Sequence, residues 1–63
     1  MVRVEINKIT YDIGYENGIY FARSSVGQSP VGRTIDELSD GLSACTGVKK
    51  SELINRLREI LPQ

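Results

Sequence analysis

An Asn-Gly pair between aromatic and apolar residues most narrowly limits how this chain can fold. Residues 15–21 read YENGIYF. A type I′ turn needs positive φ at both central positions, and Asn-Gly adopts that conformation most readily. The sequence therefore predicts a β-hairpin whose two loop residues are Asn17 and Gly18.

The predicted turn also sets which residues face each other across the hairpin. Counting outward from the loop gives the pairs Glu16–Ile19, Tyr15–Tyr20, Ile13–Ala22, Asp12–Arg23 and Tyr11–Ser24. Tyrosine pairs and acid–base pairs each stabilise an antiparallel ladder by roughly 0.2–1 kcal/mol. The register that the turn imposes is therefore chemically consistent.

A second alternating segment precedes the hairpin. Residues 2–6 read VRVEI, with apolar residues at even positions, which predicts a strand with one buried face. The alternation resumes at Ile9 on odd positions. This change of parity favours a β-bulge near Asn7-Lys8, and a break between two strands is the alternative.

Serine and glycine are frequent after the hairpin. Residues 24–33 read SSVGQSPVGR, which predicts a loop or an irregular edge strand around Val26 and Val31. The segment lacks the Gly-Lys-Ser/Thr ending of a P-loop and the glycine spacing of a dinucleotide fingerprint. A flexible connector is therefore favoured over a phosphate-binding loop.

The remainder of the chain has helical periodicity. Apolar residues at helical spacing predict amphipathic helices over about 34–45 and 50–61, with Gly47 ending the first and Pro62 stopping the second. The predicted fold class is α+β, with an N-terminal β-hairpin followed by two antiparallel helices.

A capping box begins the first helix. In the segment TIDE, the Thr34 hydroxyl is placed to accept from the Glu37 amide, and the Glu37 carboxylate to reach back to the Thr34 amide. The second helix has a lysine where a cap is expected. Lys49 and Lys50 are interpreted as a solvated helix end, with a ligand contact as the alternative.

Size and composition narrow the class of protein. A chain of 63 residues makes one small domain over 1–63, and such a domain buries only roughly 60% of its unfolded surface. A partner subunit or a tightly packed core is therefore expected. One cysteine and no histidine exclude a disulfide framework and a zinc site, and no cofactor is predicted.

The sequence predicts neither catalysis nor a membrane location. Cys45 shares an apolar helical stripe with Ile35, Leu38 and Leu42, so we interpret it as a core residue and expect no enzyme activity. No apolar run approaches the ~20 residues of a membrane span, and no signal-peptide pattern opens the chain. A cytoplasmic protein is predicted.

The order of features resembles HU-like (bacterial histone-like) DNA-binding domains. The resemblance rests on the aromatic strand IYFAR at 19–23, on the helix start TIDEL at 34–38, and on a second helix that ends in Leu61-Pro62. It implies a dimer through the helical pair. Because the basic DNA-binding arm of that family has no counterpart here, the resemblance implies an N-terminal half or a stand-alone remnant.

The second helix is also similar to that of ribbon-helix-helix repressors, in the segment SELINRLREIL at 51–61. In those proteins a strand before the first helix reads the major groove as part of a dimeric ribbon. Here the residues before Thr34 read SPVGR, which makes a poor strand. The similarity is therefore restricted to the helical pair.

The leading functional hypothesis is a small non-enzymatic DNA-binding or regulatory module. It is expected to be a homodimer through the apolar helix residues Leu53, Leu57, Ile60 and Leu61. Its predicted DNA contacts are Arg23, Arg33, Lys49, Lys50 and Arg56.

The alternative is a protein–protein interaction module, a small regulator or inhibitor without nucleic-acid binding. Eight basic residues balance eight acidic ones, whereas nucleic-acid binders usually carry a basic excess. Tyr11, Tyr15 and Tyr20 are expected to be exposed, and tyrosine is favoured at interfaces. Cross-strand packing is the other interpretation of these tyrosines.

Overall fold

The computed structural model, which describes residues 1–61, contains a four-stranded antiparallel sheet followed by two helices. The elements in chain order are β1 Val2–Ile6, β2 Ile9–Glu16, β3 Ile19–Ser24, β4 Val31–Gly32, α1 Ile35–Thr46 and α2 Lys50–Ile60. The strands lie in the sheet in chain order. The predicted α+β class is confirmed, whereas the predicted helix stop at Pro62 lies outside the described residues.

The Asn-Gly hairpin forms as predicted. Asn17 and Gly18 have φ angles of 53° and 80° and connect β2 to β3. All five predicted pairs are present, from Glu16 opposite Ile19 to Tyr11 opposite Ser24. Local turn chemistry was sufficient here, because a two-residue turn allows only one register.

The prediction of a bulge near Asn7-Lys8 is wrong. These two residues have φ angles of 51° and 68° and form a second two-residue turn, so that Ile6 pairs with Ile9. A two-residue turn reverses the chain and pairs position i with i+3. The apolar residues therefore change from even to odd positions in the sequence, while their side chains stay on one face of the sheet.

The chain after β3 returns to the sheet as a short edge strand. Val31 pairs with Phe21 and Gly32 with Tyr20, which confirms the irregular edge strand around Val31. Val26 is exposed and lies outside that strand. Gly32 lies so close to α1 that a Cβ there would be 2.6 Å from the Leu38 amide nitrogen.

Both ends of α1 are capped. The Thr34 Oγ1 accepts a hydrogen bond from the Glu37 amide at 3.1 Å, as predicted. The Glu37 carboxylate accepts from the Arg33 amide at 2.9 Å, one residue earlier than the predicted Thr34 amide. Gly47 ends the helix with φ 77°, and its amide donates to the Ser43 carbonyl at 2.8 Å.

The hydrophobic core lies between one face of the sheet and the two helices. Its buried members are Ile6, Tyr11, Ile13, Tyr20, Ala22, Ile35, Leu38, Leu42, Leu53, Leu57 and Leu61. Cys45 is only half-buried. The alternation of strand side chains places Arg3, Asp12 and Phe21 on the opposite face of the sheet.

Candidate functional site

A cleft of about 320 Å³ lies between the β2–β3 hairpin and the start of α1. Three parts of the chain line it. The hairpin supplies two tyrosines, the β4–α1 junction supplies four consecutive residues, and α2 supplies one arginine. The lining residues are Tyr15, Tyr20, Arg33, Thr34, Ile35, Asp36 and Arg58.

The two tyrosines form the aromatic wall of the cleft. They face each other across β2 and β3, with ring centroids 4.5 Å apart and an interplanar angle of 53°. Tyr20 is buried, whereas Tyr15 is 53% exposed. Tyr15 therefore offers aromatic surface that a ligand can cover.

The helix cap fixes the polar edge of the cleft. The Arg33 amide donates to the Glu37 carboxylate, and the Glu37 amide donates to the Thr34 hydroxyl. These two hydrogen bonds fix the backbone from Arg33 to Glu37. The Thr34 hydroxyl oxygen accepts one of these bonds, which leaves its proton for another acceptor. Arg33 and Thr34 both line the cleft at this edge.

Two arginines and one aspartate are the charged residues that line the cleft. Lys50 Nζ lies 3.1 Å from Asp36 Oδ2 and 3.0 Å from Asp40 Oδ1. The hydrogen bond to Asp40, followed by that to Asp36, raises the pKa of Lys50 above its ordinary value. The Asp36 carboxylate is therefore already paired. The Arg33 guanidinium forms no ion pair within residues 1–61.

The five predicted DNA-contact residues do not share one surface. Arg23 lies on the sheet face opposite the helices, with its guanidinium carbon 5.9 Å from the Phe21 ring centroid. Arg33 lines the cleft. Lys49 is exposed at the start of α2, where its side chain makes no cap.

The other two of these residues have internal partners. Lys50 joins α2 to α1 through exposed ion pairs with Asp36 and Asp40, so its ammonium group has partners within the chain. Arg56 Nη2 donates to the Glu5 carbonyl at 3.0 Å and joins α2 to β1. Both side chains therefore already have roles within the fold.

The predicted interface residues of α2 pack inside this chain. Leu53, Leu57 and Leu61 are buried in the core, and Ile60 is partly buried against it. The apolar stripe of α2 is thus covered by the sheet and α1. A dimer through the helical pair stays a prediction. Such a dimer would have to form through helix residues other than those of this buried stripe.

The expected exposure of three tyrosines is confirmed only for Tyr15. Tyr11 and Tyr20 are buried, and the alternative interpretation, cross-strand packing, is confirmed for Tyr15 and Tyr20. The Tyr11 hydroxyl has no hydrogen-bond partner among the described residues. Burial, followed by the nearby Cys45, raises the pKa of Tyr11 above its ordinary value.

Sequence reasoning did not find the cleft as a unit. The hairpin register placed Tyr15 beside Tyr20, and the capping box placed Thr34 at a helix start. Nothing in the sequence brings these two regions together with Arg58, because their proximity follows from how the helices lie on the sheet. The available signal was limited to the Tyr15–Tyr20 pair.

Comparisons with known proteins assign no family. The chain matches no family model, no curated protein and no solved structure. Residues 1–61 contain no group of three or more His, Cys, Asp or Glu side chains that could hold a metal ion. Neither helix within that range is long and apolar enough to cross a membrane.

Proposed function

We propose that this protein is a non-enzymatic interaction module that binds an acidic segment of a protein partner in the cleft. One observation carries the proposal: a cleft lined by Arg33, which has no ion pair within residues 1–61, has an exposed tyrosine on one side and a capped helix start on the other. Tyrosine and arginine are the residues most enriched at the centres of protein interfaces.

The cleft offers complementary groups for a carboxylate. Arg33 provides a planar set of N–H donors that matches a carboxylate in two-point contact. Thr34 has a hydroxyl proton to donate, since its oxygen already accepts from the Glu37 amide. The exposed face of Tyr15 covers the aliphatic part of an acidic side chain.

The distribution of charge favours a protein partner over nucleic acid. A duplex presents one negative charge per about 1.7 Å of axis and is bound by basic residues along an extended surface. Here Lys50 and Arg56 have internal partners, and Arg23 lies across the sheet. The described basic residues therefore do not form an extended surface that could follow a run of phosphates.

Nuclear magnetic resonance titration tests where an acidic segment binds. The probe is a short glutamate-rich peptide at low salt, and a peptide of the same length with glutamine in place of glutamate is its control. We expect the amide signals of residues 33–36 and of Tyr15 to shift with the acidic peptide alone. Shifts centred on other residues, or no shifts at all, would contradict the proposal.

DNA binding is the second candidate function, favoured by the presence of Arg33 and Arg58 on one cleft, where a single phosphate could lie. A fluorescence titration with duplex DNA at low and moderate salt distinguishes DNA binding from the binding of an acidic segment. Under the acidic-segment proposal, DNA binds weakly if at all. Strong binding that Arg23→Gln, Arg33→Gln and Lys49→Gln weaken equally would favour the DNA module instead.

A further inference from the structure

β1 is an open edge of the sheet. It pairs with β2 on one side, and the strand order β1-β2-β3-β4 leaves its other side without a strand from residues 1–61. An edge strand presents backbone donors and acceptors that can pair with another strand. β1 spans Val2–Ile6 and is longer than the opposite edge, β4.

The β1–β2 turn determines which backbone groups face outward. In a hairpin closed by a two-residue loop, the closing pair exchanges both hydrogen bonds, and bonded and non-bonded pairs then alternate. The closing pair here is Ile6–Ile9. Arg3 and Glu5 therefore direct their amide and carbonyl groups away from β2. The Glu5 carbonyl agrees with this direction, since it accepts a hydrogen bond from Arg56.

The sequence VRVEI is complementary to itself when antiparallel. With Val4 opposite Val4 of a second copy, Arg3 lies opposite Glu5 and Val2 lies opposite Ile6. This register pairs the outward backbone groups of Arg3 with those of Glu5. Each of its two Arg–Glu pairs sets opposite charges side by side, an arrangement that stabilises a ladder.

Other registers are less favourable. Only odd-numbered residues offer outward backbone groups, so the alternatives nearest in register centre on Arg3 or on Glu5. They place arginine opposite arginine, or glutamate opposite glutamate, and like charges directly opposite destabilise a pair. The charge pattern therefore selects the register centred on Val4.

We infer that β1 pairs with β1 of a second copy of this chain in an antiparallel, two-fold symmetric dimer. The two sheets join into one continuous eight-stranded sheet. A two-fold interface uses the same patch on both subunits, and a self-complementary strand satisfies that requirement. The inference concerns a surface separate from the cleft and does not depend on the proposed function.

Arg56 has a defined role in this dimer. In the single chain, the Arg56 guanidinium donates a hydrogen bond to the Glu5 carbonyl at 3.0 Å. Strand pairing gives that carbonyl the Arg3 amide of the other copy as donor, and this amide competes with Arg56 for the oxygen. Arg56 thus limits pairing, and its removal is expected to leave the dimer equally tight or tighter.

Sedimentation equilibrium of the full chain, from micromolar to millimolar concentration, tests the inference. We expect a monomer–dimer equilibrium whose dissociation constant Glu5→Lys raises about tenfold or more, because lysine then faces Arg3. The matched control is Glu16→Lys, the same charge change at an exposed residue of β2, which should leave the constant unchanged. Circular dichroism checks that each variant is folded.

Amide hydrogen exchange gives a second readout. The amides of Arg3 and Glu5 should become protected as protein concentration rises, and Arg56→Ala should preserve that effect. A chain that stays monomeric at millimolar concentration would overturn the inference. So would a dimer that survives Glu5→Lys but is lost in Arg56→Ala, because that result would place the interface on α2.

Discussion

At the scale of single residues, the buried hydroxyl of Tyr11 is an unusual feature of the core. The side chain is 0% exposed, and its oxygen has no hydrogen-bond partner within residues 1–61. An unsatisfied buried polar group costs about 1–3 kcal/mol. The aromatic ring fills the core between sheet and helices, whereas the hydroxyl destabilises it.

Tyr11→Phe is therefore expected to raise the free energy of unfolding by about 1 kcal/mol, since it removes the hydroxyl and keeps the ring. Urea denaturation measures the change. Tyr15→Phe, at a largely exposed ring, is the control and should have little effect. A loss of stability in Tyr11→Phe would mean that the hydroxyl has a partner in solution.

Because of Tyr11, the folded chain is expected to lose stability at alkaline pH. The pKa of Tyr11 is raised above 10.0 in the folded chain, so unfolding releases its proton once the pH exceeds that value. Stability from this group is complete below pH 10 and falls as the pH rises towards the folded pKa. Urea denaturation at increasing pH should show a smaller alkaline loss for Tyr11→Phe than for the unchanged chain.

Glycine is required at position 32 because β4 and α1 approach each other closely there. A Cβ at this position would lie 2.6 Å from the Leu38 amide nitrogen, and that backbone atom moves only if α1 moves. Gly32→Ala should lower the free energy of unfolding by about 1–3 kcal/mol in a denaturant titration. Val31→Ala, at the exposed neighbour in the same strand, should change it much less. Equal effects would contradict the packing explanation.

At the scale of secondary-structure elements, the helical pair is held by charge as well as by apolar packing. Lys50 begins α2 at the positive end of its helix dipole, which is unfavourable for a cation. Asp36 and Asp40 on α1 lie one turn apart and both contact its ammonium group. The pair of carboxylates offsets the dipole and joins the start of α2 to α1.

Lys50→Gln should lower the midpoint of thermal unfolding by more than Lys49→Gln, because only Lys50 has these partners. The difference should shrink at high salt, since exposed ion pairs are screened. Scanning calorimetry at two salt concentrations measures both effects. Equal midpoints for the two variants at low salt would show that the ion pairs add no stability.

The elements differ in how far sequence predicted them. The Asn17-Gly18 hairpin, its register and the helix spans follow from local rules, and those predictions were confirmed. The change of parity at Asn7-Lys8 fits a bulge as well as the two-residue turn that forms, because both change the parity of the apolar residues. Neither Asn-Lys nor the flanking isoleucines distinguishes the two, and pairing of β1 with β2 decides the outcome.

At the scale of the whole molecule, the net charge is zero, but the charged side chains are unevenly distributed. Acidic side chains of α1 pair with Lys50, while Arg33 remains beside an exposed tyrosine. Periodicity predicts which residues are buried, but not which solvent-facing charges become neighbours. The five basic residues predicted as DNA contacts are therefore dispersed, and one of them lines the cleft.

The affinity for an acidic peptide, compared between two arginine variants, tests the central claim most directly. Isothermal titration at low salt compares the unchanged chain with Arg33→Gln in the cleft and Arg23→Gln on the opposite sheet face. Loss of a charge-assisted hydrogen bond should weaken binding about tenfold in Arg33→Gln. Arg23→Gln should bind as the unchanged chain does. Equal weakening by both variants, or no binding by any, would contradict an acidic-segment site in the cleft.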